Sequence, residues 1–538
     1  MVLDVNNFFD LIQNISYCLL PFFLYCELHF KMRWFRGFIY KNQPEILFDV
    51  PTRITTDKLP VLLMVKDSHR FPVHIDGIEI LIMKNGQAVK HGKIKFNKNL
   101  LQVFFSQIFY LDIKEFYNNE LEVECTLFIR KGNRIEKIVN HNLSKKHNEN
   151  FRVFLDNENL AIPDNWLQGD LHVHSNYTED QVEFGAELSS YIEMGKARSL
   201  NFVGILDHSY DFDDAPGTWN VKDKNFPKWQ EFKQEVEKIN AENEDFTIIP
   251  GYELSVDNGL GENVHMAVLN NKEIFDGTGD AMENYKSYPS ENYYQTVLDK
   301  LDPQAVAYAA HPNAPQKFFH RKILKRGEWN ARDFANKLAG YQIFNGNKSI
   351  EFKKGKKIWI EKLLTGKRLN VFAGTDAHGN FNYNLSIKYP LLSLEKNNEH
   401  VFGEFITFIK SAKGVGNIVE NIKAGKVVIS EGPFLNLEIK TNDALYGIGD
   451  EINFLPEQIE ISAVTNNYFG KIDCIRLIVG NCRQKIEQSL ELLDIDKIHY
   501  FRQLGIKLHA DDCYIRAEMT TAKNKIALTN PIWVNPAK

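Results

Sequence analysis

Imidazole and carboxylate side chains stand at regular positions around short apolar segments in the middle of this sequence. His172 and His174 are two residues apart in GDLHVH, and Asp376 and His378 repeat that spacing after NVFAGT. Alternate residues of a strand project from the same face, so each pair can bind one cation together. This spacing predicts two preformed chelates for a metal ion.

Further His, Asp and Glu residues lie within or directly after neighbouring apolar segments. The candidate metal ligands are His172, His174, Asp180, His208, Glu253, His265, His311, Asp376 and His378, with Glu179 as an alternative to Asp180. If these groups converged without a cation, each uncompensated charge would cost several kcal/mol. Imidazole and carboxylate ligands without cysteine favour Mn, Zn or Fe. We therefore predict a site for two or three divalent metal ions.

Strand-like segments that alternate with helical ones must position these ligands. Seven strand candidates occupy residues 169–174, 202–206, 246–250, 264–269, 305–310, 341–344 and 370–375. Between them, apolar residues recur at intervals of three and four, which is typical of helices. In a β/α barrel the C-terminal ends of the strands meet at one mouth, so ligands distant in sequence come together there. The pattern predicts such a barrel across residues 161–434.

Regions on both sides of the predicted barrel have the pattern of β structure. Residues 48–160 alternate apolar runs with Gly-, Asn- and Lys-rich turns, and residues 435–538 return to that alternation. We predict a β-sandwich-like domain at each end. Residues 1–47 are left unassigned, because their run SYCLLPFFLYC is shorter than the roughly 20 residues of a transmembrane helix. Acidic residues before that run are not typical of a secretory signal, and Met32 is an alternative start to Met1.

The order of six short motifs resembles the PHP (polymerase and histidinol phosphatase) superfamily of metal-dependent hydrolases. These motifs are GDLHVHS, ILDHS, PGYELS, VHMAVL, AAHPN and GTDAHG. Two later segments, IKAGKVVISEGPF and IALTNPIWV, are further similar to the carbaryl-hydrolase-like branch. The resemblance covers residues 160–435, and the C-terminal region more loosely. It implies a multidomain α/β plus β protein with a central distorted (β/α)7 barrel and a di- or trinuclear metal site.

The same resemblance implies roles for individual residues. Carried over by position, it makes all nine candidates metal ligands and gives catalytic roles to Glu253, Asp376 and His265. TEDQ follows the first His pair where many relatives have S-D-G, which leaves the choice between Glu179 and Asp180 open. Relatives commonly carry Thr where this chain has a Leu before the Asp-His pair of ILDHS, a change expected to affect packing more than chemistry.

Composition limits the partners of the protein. The 538 residues include 64 Lys and Arg against 70 Asp and Glu, a formal net charge of −6. That balance offers no overall positive field to a nucleic-acid backbone, so we expect no nucleic-acid partner.

The cysteines form no Cys-x-x-Cys motif, and free thiols in a reducing compartment are expected, with a Cys474–Cys482 bridge left open. We expect a cytoplasmic protein without a transmembrane span; a secreted or periplasmic location and the oligomeric state stay open.

These observations predict a metal-dependent hydrolase that uses a metal-activated hydroxide, because a bound cation lowers the pKa of water towards about 7. A small anionic substrate is favoured, since the loop after His311 carries several basic residues, although such a run is also typical of a solvated helix face. Arg321 and Asn345 are the candidate substrate-binding residues. The leading prediction is a phosphoesterase acting on small or terminal phosphate esters. The alternatives are a carboxylester, carbamate or amide hydrolase and a non-catalytic metal-containing binding scaffold.

Overall fold

The computed structural model describes most of the chain between residues 43 and 535. The described residues are 43–143, 147–178, 185–216, 218, 221–277, 290–314, 321, 325–329, 338–348, 350–388, 393–509 and 512–535. Strands dominate them, with six α-helices and two short 3-10 helices, Lys114–Phe116 and Asn176–Thr178. None of the helices in this part of the chain combines the length and the apolar character needed to cross a membrane.

Nine strands build the N-terminal region. Their bounds are β1 Glu45–Asp49, β2 Arg53–Ile54, β3 Lys58–Lys66, β4 Val73–Lys84, β5 Gln87–Leu100, β6 Phe104–Asp112, β7 Asn119–Lys131, β8 Arg134–Val139 and β9 Phe151–Leu155. β1, β3 and β6 form one sheet; β2, β9, β7, β4 and β5 form a second, to which β8 adds through β7. Apolar side chains at alternate positions, such as Leu63, Ile80 and Val123, are fully buried in one core shared by the two sheets.

Seven central strands correspond to the seven strand candidates of the sequence. Their bounds are β10 Trp166–Val173, β11 Phe202–Ile205, β12 Thr247–Asp257, β13 Asn263–Leu269, β14 Val306–Ala309, β15 Gly340–Asn345 and β16 Asn370–Gly374. The helices are α1 Leu188–Ala197, α2 Ser209–Phe212, α3 Pro227–Glu242, α4 Tyr294–Lys300, α5 Ile350–Leu363 and α6 Val415–Lys423. Nearly every residue of these strands is buried, which explains their continuous apolar sequence.

Fourteen further strands complete the described structure. Their bounds are β17 Asn384–Lys388, β18 Ser393–Asn397, β19 Ile406–Lys410, β20 Val427–Ser430, β21 Phe434–Lys440, β22 Leu445–Gly447, β23 Glu451–Ile452, β24 Gln458–Val464, β25 Ile472–Asn481, β26 Ile486–Lys497, β27 His499–Gly505, β28 Asp512–Thr521, β29 Ile526–Thr529 and β30 Ile532–Val534. Cys482 and Cys513 form a disulfide, so the expectation of free thiols is wrong for these two residues. Cys474 is a buried free thiol and is not bridged to Cys482.

The predicted fold class, an α/β plus β protein with a helix-rich (β/α)7 barrel, is wrong. β10–β16 belong to a 15-stranded sheet whose path continues from β10 through β19, β20, β29, β28 and β25 to β26. β13 is antiparallel to both β12 and β14. Only five residues separate β12 from β13, whereas a parallel connection needs a crossover of about a dozen or more. Local apolar periodicity identified the strands but does not encode their direction or their partners.

Candidate metal centre

The two predicted chelates, His172 with His174 and Asp376 with His378, lie side by side. β10 ends at Val173, which forms a single parallel bridge with Ala377 just beyond β16. Through that contact the His174 amide donates to the Ala377 carbonyl at 2.8 Å, and the Asp376 amide donates to the His172 carbonyl at 2.7 Å. The backbone therefore fixes both pairs in one place, although they are about 200 residues apart in sequence.

Glu253, on β12, is the centre of the cluster and is almost completely buried. Its Oε1 lies 2.8 Å from His311 Nε2 and 3.0 Å from His265 Nδ1. Its Oε2 lies 3.2 Å from His208 Nδ1. The same oxygen is 3.7 Å from His172 Nε2 and 3.6 Å from His174 Nε2, so one carboxylate faces five imidazoles. The antiparallel pairing of β12 with β13 brings His265, which pairs with Ser255, next to Glu253.

Asp376 closes the other side of the cluster. Its Oδ1 lies 3.0 Å from His174 Nε2 and 3.5 Å from His172 Nε2, and the two Nε2 atoms are 3.2 Å apart. His378 stacks on His174 with ring centroids 4.0 Å apart. The fully buried Nδ1 of His174 has no hydrogen-bond partner among the described residues. Nitrogen and oxygen atoms with lone pairs thus converge on one another, an arrangement that a shared cation would satisfy.

Three overlapping groups of side chains fit a metal ion. Within each group the ligand atoms lie within 4.8 Å of one another. The groups are His172, His174, Glu253 and Asp376; His174, His208 and His378; and His208, Glu253 and His265. All are imidazole and carboxylate donors, which suits Mn, Zn or Fe. His311 joins through Glu253, so eight of the nine predicted ligands come together, whereas Asp180 and its alternative Glu179 lie outside the described residues.

The charges of the cluster are strongly coupled. Burial alone would lower the pKa of His172, but Glu253 and Asp376 raise it to about 9. Burial would raise the pKa values of the two carboxyl groups, yet the surrounding imidazoles hold both well below their usual range. Burial lowers the pKa of His174 to about 4 and that of His378 to about 3. The imidazoles that face the two carboxyl groups therefore favour their ionised form, which is the form that can bind a cation.

Backbone strain coincides with two of these ligands. Asp376 has φ 57° and His311 has φ 29°, both in the region that non-glycine residues rarely adopt. Such conformations cost on the order of 1–3 kcal/mol each and persist where the surrounding structure enforces them. Both residues lie just beyond the end of a buried strand, His311 after β14 and Asp376 after β16. At these positions the chain turns sharply, and the turn directs each side chain towards the cluster around Glu253.

Polar residues around the cluster orient its ligands. Gln342 Oε1 accepts a hydrogen bond from His172 Nδ1 at 2.8 Å, so in the neutral imidazole the lone pair is on Nε2, which faces the cluster. Gln342 Nε2 donates to Asn345 Oδ1 at 2.7 Å, and Asn345 Nδ2 lies 3.4 Å from Asp376 Oδ2. The predicted substrate residue Asn345 therefore lies beside a ligand. Gln342 was missed, although an amide inside the buried segment YQIF was an available signal.

Two buried carboxylates near the cluster fix loops and are not ligands. Asp207 accepts hydrogen bonds from the Ser175 amide and hydroxyl, each at 2.6 Å, and burial raises its pKa to about 7. Asp170 accepts from the Thr375 amide and hydroxyl, and burial raises its pKa to about 6. These bonds fasten the segments after β10 and β16, from which the paired ligands project.

The rim of the cluster contains one more residue that sequence reasoning missed. His400 Nδ1 lies 2.8 Å from the Thr375 carbonyl and 3.9 Å from Asp376 Oδ2. It is the last residue of the polar run EKNNEH, in which no spacing marked it. Tyr210 stacks on His208 with ring centroids 4.7 Å apart. Arg321 is exposed, and its guanidinium lies 3.9 Å from Glu262, which is not a candidate ligand.

Comparison with known proteins assigns no family to the chain. No family model and no curated protein matches it. Among solved structures, a Parabacteroides merdae β-glucuronidase is 9% identical over 92% of this chain and 66% of its own, with a TM-score of 0.20. A Paenibacillus sp. cycloisomaltooligosaccharide glucanotransferase is 8% identical over 91% of this chain and 70% of its own, with a TM-score of 0.18. A protein from Archaeoglobus fulgidus is 13% identical over 18% of this chain and 90% of its own, with a TM-score of 0.13.

Proposed function

We propose that the protein is a metal-dependent hydrolase whose centre holds two or three divalent ions. The observation that supports this most directly is the position of Glu253, a buried carboxylate with nitrogens of five imidazoles within 3.7 Å. A structural carboxylate needs one cation or a few amide donors, whereas this one is arranged to bridge several ligand sets. The resemblance of the ordered motifs to PHP hydrolases agrees with this proposal.

When bound, such ions would supply a hydroxide at neutral pH and stabilise developing negative charge on oxygen. The protein side chains would hold these ions and orient one another. Glu253 joins the His265 and His311 side of the cluster to the His172 and His174 side. Asp376 holds the latter pair, and Asn345 orients Asp376 through its amide. Gln342 sets the tautomer of His172.

The exposed fractions of the ligand side chains support one direction of approach for a substrate. The side chains of His172 and His174 are fully buried, whereas those of Asp376 and His311 are 18% and 16% exposed. A substrate therefore reaches the cluster past Asp376 and His311. We favour a small or terminal phosphate ester, whose charged oxygens suit a cationic centre and Asn345 as a donor. Arg321 would act at longer range through its positive charge.

A carboxylester, carbamate or amide hydrolase is the second candidate, favoured by the similarity of IKAGKVVISEGPF to the carbaryl-hydrolase-like branch. Both reactions would use the same side chains, and only the bond that is cleaved differs. The non-catalytic scaffold is the third. The three make different predictions for the same purified protein, since a scaffold would bind metal but turn over no substrate.

The test combines metal content with turnover. Purified protein is analysed for bound elements, then stripped and reloaded separately with Mn, Zn or Fe. Each form is assayed with p-nitrophenyl phosphate, bis-p-nitrophenyl phosphate and p-nitrophenyl acetate. Two or three ions per chain and phosphate turnover support the proposal. Turnover of the acetate alone would select the second candidate, and bound metal without turnover on a broad hydrolase panel would select the scaffold. Absence of bound metal would contradict all three.

A further inference from the structure

A separate cavity of about 830 Å³, here called the outer cleft, lies against the N-terminal sheet. Its volume falls within the roughly 300–1,000 Å³ of typical ligand pockets. Residues of β7 and β9, residues 382–383 and 396–404, and Tyr468 of the C-terminal region contribute to its lining. Three distant parts of the chain thus meet around one space, and none of the eight candidate metal ligands that the structure describes is among the lining residues.

The floor of the outer cleft is one face of the N-terminal sheet. In the pairing of β7 with β9, Glu120 is opposite Phe154 and Glu122 is opposite Arg152. The intervening residues of both strands, such as Val153, point into the hydrophobic core. The strand period of two therefore places two carboxylates, a guanidinium and an aromatic ring together on the outer face.

The opposite wall is firmly attached to this floor. Asn382 Nδ2 donates to the Arg152 carbonyl at 2.8 Å, and Asn382 Oδ1 accepts from the Arg152 amide at 3.4 Å. Lys396 pairs with Glu149 at 2.8 Å. The half-buried rings of Phe154 and Tyr468 lie with centroids 4.9 Å apart. The cleft is therefore a preformed space and does not need to close around a ligand.

The charges in the outer cleft disfavour an anionic ligand. Its lining contains the four carboxylates of Glu120, Glu122, Glu149 and Glu404 against the two cations of Arg152 and Lys396. Glu149 is neutralised by Lys396, and Glu404 by Arg198. Within the described residues, Glu120, Glu122 and Arg152 form no ion pair, and Glu122 Oε2 accepts one hydrogen bond, from Asn150 Nδ2 at 3.3 Å. The remaining acceptor and donor positions of these three side chains can bind a ligand. The excess of carboxylates repels an anion, which separates this cavity from a phosphate site.

We propose that the outer cleft binds a neutral carbohydrate, most simply a short oligosaccharide. Glu120 and Glu122 accept hydrogen bonds from sugar hydroxyls, and Arg152 donates to hydroxyl and ring oxygens. The aromatic surface of Phe154 and Tyr468 packs against the apolar C–H face of a sugar ring. Asn148 Oδ1, buried and without a partner in the described residues, is a further acceptor. This binding is independent of the metal centre and of the proposed hydrolase activity.

The test is isothermal titration of the full chain with short neutral oligosaccharides of glucose, xylose, mannose and galactose, before and after metal removal by a chelator. At least one should bind, with the same affinity in both forms. Arg152→Ala, Phe154→Ala and Glu122→Gln should each weaken that binding by about tenfold, the loss expected for one good polar or packing contact. Glu124→Gln is the matched control, because Glu124 lies next on the same face of β7 but does not line the cleft.

Several results would overturn the proposal. These are no binding by any of the neutral oligosaccharides, an equal loss of affinity in the Glu124→Gln control, or tighter binding of acidic oligosaccharides than of neutral ones. Because binding is measured without turnover, failure here leaves the hydrolase proposal intact. Conversely, an inactive protein that binds oligosaccharides would contradict only the hydrolase.

Discussion

Glu253 and Glu404 are both largely removed from solvent, but the groups that surround them differ in kind. Glu404 accepts hydrogen bonds from the Thr52 hydroxyl at 2.6 Å and from Arg198 Nη2 at 2.8 Å. These contacts tie the N-terminal region to the segment after α1. Glu253 faces only imidazole nitrogens at its closest side-chain contacts, and the five histidines come from four segments of the central region, since His172 and His174 both lie at the end of β10.

The two carboxyl groups differ in the kind of group that lowers their pKa. Burial would raise the pKa of Glu404, but the permanent positive charge of Arg198 lowers it to about 2. Imidazoles also hold the pKa of Glu253 below its usual range, yet an imidazole is neutral when it binds a metal. Glu404 therefore has charged and hydroxyl partners within the chain, whereas the surroundings of Glu253 fit our proposal that it binds a cation from outside.

The largest expected effect comes from Glu253→Gln. Removing the charge but not the volume should reduce hydrolase turnover by about a thousandfold and lower the metal content, because the shared ligand is lost. Thermal unfolding should stay near that of the parent protein. Turnover with the best substrate and elemental analysis provide the measurements. The matched control is Glu79→Gln, at a partly exposed carboxylate paired with Lys93. Full activity in Glu253→Gln would remove its proposed role.

Glu404→Gln should affect the stability of the fold and not the metal content, which is the reverse of the effects expected for Glu253→Gln. It leaves Arg198 without its charged partner and should destabilise the fold by about 3 kcal/mol at pH 7, while metal content is unchanged. Because the folded pKa is depressed to about 2 from 4.5, the ion pair stabilises above pH 4.5 and is lost as the pH falls towards 2. Denaturant unfolding of both proteins at pH 7 and pH 3 should show the difference shrinking. An equal difference at both pH values would contradict this assignment.

Gln342→Leu tests whether the metal centre depends on its supporting residues. The change removes the acceptor for His172 Nδ1 with little loss of volume and should weaken metal affinity by about tenfold. Competition with a chromogenic chelator measures that affinity. Gln168→Leu is a suitable comparison, since Gln168 lies earlier on β10 and bonds to the Ser199 carbonyl, outside the cluster. Equal losses in both variants would indicate a general effect on the fold.

Arg321→Ala should have the smallest effect. If the exposed guanidinium attracts an anionic substrate, its removal should raise KM for a phosphate ester by about threefold and leave kcat unchanged. Added salt should reduce the difference by screening. An unchanged KM at low ionic strength would show that Arg321 is a solvated surface residue and would confine substrate recognition to the buried cluster and Asn345.

The proximity of the candidate ligands was more predictable than the fold for a physical reason. A two-residue His-x-His spacing or an Asp after a buried strand describes local geometry, and the chain places eight of the predicted ligands together. The residues that support them lack such a pattern. Gln342 acts from inside a strand, where its amide was the one available signal, and His400 reaches Asp376 from a polar loop without any such signal. The contacts that both make with the candidate ligands depend on the three-dimensional arrangement.

Strand pairing is the part that local sequence did not determine. All seven central strands were identified, but the antiparallel direction of β13 and the pairing of β10 with β19 depend on contacts distant in sequence. The Cys482–Cys513 disulfide is a similar case, because a spacing of 31 residues has no local signature and depends on β25 and β28 being neighbours. Register and connectivity are properties of the whole sheet.

The continuous sheet also affects how the protein must be synthesised. β20 pairs with β29, in which Val428 is opposite Thr529, about 100 residues later in the chain. Until the ribosome has made β29, the sheet that carries the candidate metal ligands lacks the partner strand of β20. Because an unpaired strand edge can pair with another chain, we expect the nascent protein to be most prone to association during this interval.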